Sequence, residues 1–283
     1  MIHEGYEARI EKAKRAIQYA DYMVIGGGAG LSAAAGLDYN GRRFSENFGP
    51  FIARYGMKDL YTSSFYPFET QEEKWAYWAK HISLNRYETL ATELYLQLYE
   101  CIKTTDHFVI TTNVESQFEK AGFKREKIFE VQGNYAFLQC ETACHNKLYY
   151  NEPMVSAMMS ETENCRIPGR LVPKCPVCGG EMDVNLRKDR YFVQDQHWYT
   201  AEKRYNDFIK RAVNSRVVFM ELGVGFNTPG IIRFPFEAML SAKPNVTLIR
   251  VNRFDPVGME ENRDATIVFT EAMIKVVNDL LRC

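Results

Sequence analysis

The sequence has 283 residues, of which 46% are apolar and 25% charged, and these ordinary globular values exclude a disordered, fibrous or low-complexity protein. The net charge is −1, so no overall positive field favours binding to nucleic acid or to an acidic membrane. No apolar run reaches the ~18 residues that span a bilayer, and the charged N-terminus lacks the apolar core of a secretion signal. We therefore expect a cytoplasmic protein without nucleic-acid or membrane partners.

Strands alternate with helices at both ends of the chain. The spacing of Ile10, Ala13 and Ile17 predicts a helix over 3–20. The apolar run 22–25 predicts a buried strand, which leads through glycines at 26–30 into a helix. Further strands are predicted at 108–112, 127–131, 217–222, 246–251 and 265–269, and helices around 75–82, 87–102, 198–213 and 273–280. This alternation predicts an α/β fold, a Rossmann-like doubly wound parallel sheet.

Two segments interrupt this alternation. Residues 42–104 form a predicted helical insertion, whose first part, 42–70, is aromatic and expected to be irregular. Residues 137–187 hold five cysteines, four of them at the spacing of metal ligands, and no long periodicity, which indicates a small inserted module of the zinc-ribbon type. We therefore assign 1–136 and 188–283 to the main domain and 137–187 to the small module.

The glycines that follow the first strand indicate a dinucleotide site. In Gly26-x-Gly28-x-Gly30 the backbone N–H groups can point at a pyrophosphate, and the next helix adds its positive end. The polar strand ends at 112–113, 132–133, 223–225 and 252 should meet at one edge of the sheet, where such folds bind ligands. The usual acidic ribose partner about 20 positions beyond the glycines is not obvious, since the chain there reads FSENFGPF, so a conventional dehydrogenase is not favoured.

The cysteine spacing predicts a structural zinc ion. Cys140-x3-Cys144 and Cys175-x2-Cys178 can supply four thiolates, which closes a tetrahedral shell without an open catalytic position. His145 and Cys165 stay open as alternative ligands.

Several motifs together resemble the sirtuin family over about residues 20–270. Gly28–Ser32, followed by 36–41, resembles the signature GAGxSxxxGxPDFRG; 111–115 resembles TQNID; Val131-Gln132-Gly133 stands where sirtuins have HG; 223–229 resembles GTSLxVxP; and Asn252 fits the asparagine of a late strand end.

The resemblance implies a Rossmann-like NAD-binding domain with NAD⁺ as co-substrate. It implies catalytic roles for Asn113, Gln132 and Asp38. The cofactor-binding residues that it implies are Gly28, Ala29, Gly30, Ser32, Asp38, Tyr39, Thr112, Asn113, Val114, Glu115, Gln132, Gly223, Val224, Gly225, Asn227, Thr228, Asn252 and Arg253.

Departures from the sirtuin pattern bear on the reaction. Deacylating sirtuins use a histidine as general base where this chain has Gln132, and an amide cannot serve as a base near neutral pH. Tyr39-Asn40 replaces Phe-Arg, Glu115 replaces an aspartate, and Gly225 replaces a serine whose hydrogen bond Asn227 or Thr228 can supply. Transfer of ADP-ribose to an ionised carboxylate needs no base, so the sequence favours mono-ADP-ribosylation.

These features are similar to the bacterial class M sirtuins. That resemblance implies a protein substrate, a lipoylated carrier related to the glycine-cleavage H protein, and a macrodomain hydrolase that removes the modification. Two alternatives stay open. One is an NAD-dependent deacylase in which Asp38, Glu115 or a substrate group replaces the base; the other is a non-catalytic NAD or ADP-ribose sensor that docks through its zinc ribbon.

Overall fold

The computed structural model describes residues 4–263 and 265–281, and its largest element is a six-stranded parallel sheet. The strands along the chain are β1 Tyr22–Gly27, β2 Asp106–Thr111, β3 Ile128–Glu130, β4 Gly133–Cys140, β5 Tyr149–Tyr150, β6 Met182–Leu186, β7 Val217–Leu222, β8 Val246–Val251 and β9 Thr266–Phe269. The six-stranded sheet has the order β3-β2-β1-β7-β8-β9, which is the strand order of dinucleotide-binding folds. The predicted doubly wound parallel sheet is confirmed.

Twelve α-helices lie within the described residues. They are α1 Tyr6–Gln18, α2 Ala29–Ala34, α3 Gly41–Asn47, α4 Gly49–Tyr55, α5 Leu60–Ser63, α6 Gln71–Ile82, α7 Glu93–Ile102, α8 Gln117–Lys120, α9 Glu152–Ser160, α10 Gln196–Ala212, α11 Arg233–Ala242 and α12 Met273–Leu281. None of these described helices combines the length and the apolar character that crossing a membrane requires.

Helices cover both faces of the parallel sheet. Because side chains alternate along a strand, Met23 and Ile25 of β1 join one buried cluster with residues of α1, α7 and α12. Val24 joins a second cluster with residues of α10 and α11. Strands that are buried on both faces need nearly continuous apolar sequence, which explains why their positions could be predicted from short apolar runs.

The chain divides into two compact units. The first comprises Met1–Gly36, Ala91–Gln132 and Gln196–Cys283, and contains the parallel sheet. The second comprises Leu37–Leu90 and Gly133–Asp195, and contains a small sheet with the antiparallel strand order β5-β4-β6. Most of the segment 42–104 thus shares a unit with 137–187, whereas α7 belongs to the unit of the parallel sheet.

The prediction of an irregular segment at 42–70 is wrong. Three short helices, α3, α4 and α5, lie there. Each is too short to show helical periodicity, but local start signals are present: Pro50 stands in the first turn of α4, and the Asp59 carboxylate accepts a hydrogen bond from the Thr62 N–H at 2.7 Å. Short helices of this kind depend on capping and packing rather than on a repeated apolar face.

The predicted helix over 87–102 starts later than expected, and the cysteine module contains a helix that was not predicted. α7 begins only at Glu93, after an exposed Leu90, and Tyr87 ends a π-helical turn, Ser83–Tyr87. In the second unit, α9 packs against α6. The apolar residues of α9 are mostly methionine and alanine, and they show no clear helical spacing in the sequence.

Candidate active site

Two glycine turns meet at the carboxyl ends of β1 and β7. From this pair of neighbouring strands, the chain adds its other parallel strands first towards one edge of the sheet and then towards the other. The Gly28 N–H donates to the Leu222 carbonyl at 3.0 Å, and the Gly30 N–H donates to the Gly223 carbonyl at 2.9 Å. Gly223 has φ +62°, and a Cβ there would lie 2.2 Å from the Leu31 nitrogen. The glycines therefore let the two turns touch each other, in addition to leaving room for a ligand.

The start of α2 is open to solvent. Ala29 and Gly30 are both exposed, directly after the buried end of β1. Free N–H groups at a helix start attract anions, although the Gly30 N–H is already bonded to Gly223. A phosphate can therefore contact this edge of the first unit almost entirely through backbone atoms.

Asn113 is held in a fixed orientation at this edge. Its side-chain nitrogen lies 3.0 Å from the Gly28 carbonyl oxygen, 2.9 Å from Ser32 Oγ and 3.1 Å from Tyr95 Oη. Its side-chain oxygen accepts no hydrogen bond from any residue that the structure describes. Asn113 therefore keeps an acceptor available, while its donors are used inside the protein.

Glu115 is a buried carboxyl beside Asn113. It accepts the Ser32 hydroxyl at 2.6 Å and the Val114 N–H at 3.0 Å. Burial raises the pKa of Glu115 above its usual value, and the hydrogen bond from Ser32 opposes that rise. The predicted cofactor residues Ser32, Asn113, Val114 and Glu115 thus form one hydrogen-bonded group.

The segment that carries Asn113 is fixed to β1 by Thr111 and Thr112. Thr111 Oγ1 donates to the Gly27 carbonyl at 2.9 Å and accepts the Asn113 N–H at 3.0 Å. The Thr112 N–H donates to the same carbonyl at 3.1 Å. Predicted residue Thr112 therefore acts here through its backbone, and Thr111, which was not predicted as a site residue, supplies the side-chain contact.

Gln132 follows the end of β3 and is partly buried. Its side-chain nitrogen lies 3.4 Å from Thr228 Oγ1, and the preceding Val131 carbonyl accepts the Trp198 indole N–H at 3.1 Å. The structure thus brings together two of the predicted residues, Gln132 and Thr228. Among the described residues, Gln132 makes no hydrogen bond to Asn113.

The remaining predicted residues of the first unit lie on two loops. Gly225, Asn227 and Thr228 belong to the largely exposed loop after β7. Asn252 is buried, donates to the Val224 carbonyl at 2.9 Å, and accepts the N–H groups of Phe254 and Asp255 at 3.1 and 2.9 Å. Asn252 therefore uses its side chain to join the loops after β7 and β8, and Arg253 is exposed next to it.

Asp38 and Tyr39 belong to the second unit. Asp38 is exposed, and the Tyr39 hydroxyl lies 2.9 Å from the Tyr135 hydroxyl. Tyr135 in turn lies 2.8 Å from Nε2 of the fully buried His81. Burial lowers the pKa of His81 to about 3, so this histidine is neutral. Neither His81 nor Tyr135 carried a sequence signal beyond its apolar surroundings.

The four predicted zinc ligands converge in the second unit. The sulfur atoms of Cys140, Cys144, Cys175 and Cys178 all lie within 4.8 Å of one another. The Cys140–Cys178 and Cys144–Cys175 sulfur distances are both 3.7 Å, close to the ~3.8 Å between ligands that a tetrahedral shell with Zn–S bonds of about 2.3 Å requires. The residues therefore fit a zinc ion that is bound by four cysteines and has a structural role.

The surroundings shift the cysteine pKa values in opposite directions. Burial alone would raise the pKa of Cys140, but hydrogen bonds from Thr142 and the Cys144 backbone lower it to about 6. The pKa of Cys175 is also lowered, whereas burial and the neighbouring thiols raise the pKa of Cys144. The Gly180 N–H points at Cys178 Sγ at 3.4 Å. Backbone N–H groups directed at sulfur are typical second contacts of a metal site.

The two alternative zinc ligands lie outside the four-cysteine group. His145 Nδ1 is 3.1 Å from Cys144 Sγ, whereas its Nε2 lies 2.9 Å from the Tyr149 hydroxyl. Cys165 is buried, in the neighbourhood of Arg54 and Glu73. Neither belongs to the set of mutually close ligand atoms among the described residues.

Proteins of one family match this chain in sequence. A model of the Sir2 family matches residues 28–223. A protein ADP-ribosyltransferase of Staphylococcus aureus (strain Mu50) is 32% identical over 273 residues, which cover 96% of this chain and 87% of that protein. A probable bifunctional ADP-ribose hydrolase/ADP-ribosyltransferase of Fusarium oxysporum f. sp. cubense is 30% identical over 257 residues, which cover 87% of this chain and 42% of that protein.

Solved structures support the same fold. A Sir2 homologue mutant in complex with ADP-ribose superposes with a TM-score of 0.60 at 15% identity, covering 96% of this chain and 95% of that one. At this identity the similarity establishes the fold alone.

Proposed function

This chain belongs to the Sir2 family, and on that basis we propose that it is an NAD⁺-dependent protein mono-ADP-ribosyltransferase. The observation that carries the proposal is the uncharged Gln132 at the end of β3, beside Thr228. A general base needs a pKa near the working pH, and an amide has none. Loss of a general base commonly lowers a rate by ~10²–10⁴, so deacylation would be slow.

ADP-ribosyl transfer avoids that requirement. The bond between the ribose anomeric carbon and nicotinamide breaks, and its electron pair leaves with nicotinamide, which becomes neutral. An acceptor carboxylate oxygen then forms a bond to the same carbon. Because a carboxylate is ionised at pH 7, no proton has to be removed. Positioning and electrostatic stabilisation of the cationic sugar are the main requirements.

The first unit supplies groups suited to these tasks. NAD⁺, when bound, supplies the activated glycosidic bond. The Ala29 N–H at the open start of α2 would face the pyrophosphate, and the glycine turns at Gly28 and Gly223, whose own N–H groups are bonded within the protein, would leave room for it. The acceptor oxygen of Asn113 and the amide of Gln132 would orient the ribose through neutral hydrogen bonds. Tyr39 and Asp38, together with the loop residues Gly225, Asn227 and Arg253, complete the proposed cofactor set.

We propose a lipoylated carrier related to the glycine-cleavage H protein as the acceptor, as the resemblance to class M sirtuins implies. We also propose that a macrodomain hydrolase reverses the modification. The name of the Fusarium relative pairs an ADP-ribose hydrolase with an ADP-ribosyltransferase in one protein, which supports a hydrolase in the same pathway.

Incubation with NAD⁺ labelled in the adenylate phosphate tests the proposal. The wild-type protein should transfer label to the lipoylated carrier and release nicotinamide, and Asn113→Ala should abolish both. Release of acyl-ADP-ribose from an acylated peptide would support a deacylase instead. Cofactor binding without nicotinamide release would support a sensor. Either result would overturn the proposal.

The variant Gln132→His separates the role of the amide from that of the position. If the missing base limits deacylation, this variant should gain deacylase activity while Gln132→Ala should not. If neither variant gains deacylase activity while ADP-ribosyl transfer stays intact, a feature of the chain other than Gln132 prevents deacylation.

A further inference from the structure

Tyr95 is a buried hydroxyl beside the proposed site, and it comes from α7, a helix that no motif identified. Its ring is fully buried and packs edge-to-face on Phe118, with the ring centroids 4.9 Å apart. Its hydroxyl lies 2.9 Å from Ser32 Oγ, 3.1 Å from the Asn113 nitrogen and 3.4 Å from Glu115 Oε1. A buried polar group with three such neighbours is held in one position.

The hydrogen bonds that Asn113 donates determine the orientation of its side-chain amide. A carbonyl oxygen only accepts, so the atom 3.0 Å from the Gly28 carbonyl must be the nitrogen of Asn113 rather than its oxygen. The nitrogen carries two hydrogens, and the second is shared between Ser32 Oγ and Tyr95 Oη. The amide oxygen consequently faces away from this group of residues.

The remaining hydroxyl hydrogens of this group are donated to Glu115, either directly or through Ser32. Ser32 gives its only hydroxyl hydrogen to Glu115 Oε1 at 2.6 Å, so towards Asn113 and Tyr95 it can only accept. Tyr95 can give its hydrogen to Ser32 or to Glu115. The second carboxylate oxygen accepts the Val114 N–H. Glu115 is thus the terminal acceptor of a chain that begins at Asn113.

We propose that Tyr95 is a positioning residue, which contacts the Asn113 nitrogen directly and also braces Ser32, and thereby holds the Asn113 amide oxygen towards the bound sugar. The proposal rests on the proposed function, because it assigns that oxygen a task in ADP-ribosyl transfer. Three acceptors surround the Asn113 nitrogen, and removal of the Tyr95 hydroxyl leaves two of them and deprives Ser32 of a donor. The side-chain amide of Asn113 can then rotate around its hydrogen bond to the Gly28 carbonyl, so the amide oxygen is positioned less accurately.

A double-mutant cycle between Tyr95→Phe and Asn113→Ala tests the proposal. The readout of the cycle is the dissociation constant for NAD⁺, because Asn113→Ala leaves no transfer to measure; the rate of label transfer is compared between the wild type and Tyr95→Phe alone. Tyr95→Phe should weaken NAD⁺ binding about three- to tenfold, as expected for one hydrogen bond. In the Asn113→Ala background the same change should have almost no effect on NAD⁺ binding, because Tyr95 then has no amide left to position.

Tyr99→Phe is the matched control. Tyr99 lies one turn further along α7 and packs on Phe123, with ring centroids 5.0 Å apart. It makes no hydrogen bond through its hydroxyl among the described residues, so this variant should behave as wild type. The free energy of unfolding is measured for every variant, and Ser32→Ala replaces Tyr95→Phe in the cycle if the latter fails to fold.

The outcomes separate the two proposals. If the wild-type protein transfers no label, the proposed function fails, whatever the cycle shows. If transfer occurs and depends on Asn113, but Tyr95→Phe matches Tyr99→Phe, the positioning role is overturned alone. Effects that multiply in the double variant would also overturn it, because Tyr95 would then act independently of Asn113.

Discussion

Glu115 combines an electrostatic cost with a structural task. Where the family pattern has an aspartate, the longer side chain reaches both the Ser32 hydroxyl and the Val114 N–H. The same carboxyl is buried at 5% exposure, and burial raises its pKa. An ionised Glu115 orients the hydrogen bonds around Asn113, but the folded protein holds that charge less readily than the unfolded chain does.

The variant Glu115→Gln should reveal this cost as a pH dependence. A carboxyl whose pKa is raised by folding stabilises the protein fully below its unfolded value near 4.5. That stability is lost as the pH rises through the folded pKa. The wild type should therefore lose stability relative to Glu115→Gln as the pH rises from about 4 to 7.5, by about 1.4 kcal/mol for each unit of the pKa difference. Urea unfolding of both proteins at several pH values measures it; a constant difference would contradict it.

At the residue scale, the sequence revealed residues whose type or spacing is itself the signal. Gln132 was identifiable because an amide stands where the family has an imidazole, and the cysteines because their spacing is typical of zinc ligands. Tyr95 was not identifiable, since in α7 it occupies an apolar face with Leu94 and Leu98. Only the fold shows that its hydroxyl meets Asn113.

At the scale of elements, a buried charge network links β7, β8 and α11. Arg250 of β8 bonds to Glu221 of β7 at 2.9 Å and to Glu237 of α11 at 2.5 Å. Arg233 bonds to Glu221 at 3.0 Å and to the Asp255 carbonyl at 2.5 Å. The network therefore reaches the loop after β8 that Asn252 ties to the loop after β7.

Removal of one member of this network should be costly. Arg250→Met removes a positive charge that pairs with the buried carboxylates of Glu221 and Glu237. Breaking a buried ion pair typically lowers the free energy of unfolding by about 3–5 kcal/mol. Arg216→Met is the matched control, because Arg216 pairs with Asp21 on the surface of the same unit and should contribute little. Thermal and urea unfolding measure both variants. Equal stability of the two would contradict the assigned importance of the buried network.

Elements buried on both sides could be predicted well, whereas elements defined by capping could not. The predicted strand at 246–251 coincides with β8. A short apolar run of this kind is typical of a strand that is buried between helices on both faces of a parallel sheet. The helices α3, α4 and α5 of the second unit lack such runs, and their positions depend on caps such as Asp59 and on contacts among aromatic rings. One of these ring contacts joins Phe51 to Tyr77, which lies in a different helix, α6, and is distant in sequence.

At the scale of the whole molecule, the second unit depends on a small sheet and a cysteine cluster. Strands β4, β5 and β6 form only a short antiparallel sheet, and Cys140 ends β4 opposite Met182 at the start of β6. Gly133, at φ +97°, opens β4, where a Cβ would lie 2.0 Å from the Asn185 carbonyl oxygen. Small sheets of this size gain stability from metal ligation, so zinc should matter for this unit more than for the parallel sheet.

Zinc removal should therefore destabilise the second unit before the first. Native mass spectrometry of the intact protein should show one zinc ion per chain, lost in Cys175→Ser and retained in Cys101→Ser, because Cys101 lies outside the cluster. Structural zinc ions bind with about 10–16 kcal/mol in zinc-finger peptides. Hydrogen exchange in Cys175→Ser should consequently accelerate at β4 and β6 while β1 and β7 stay protected. A wild-type protein without zinc, or uniform exchange across both sheets in Cys175→Ser, would show that the cysteines do not stabilise this unit through a metal.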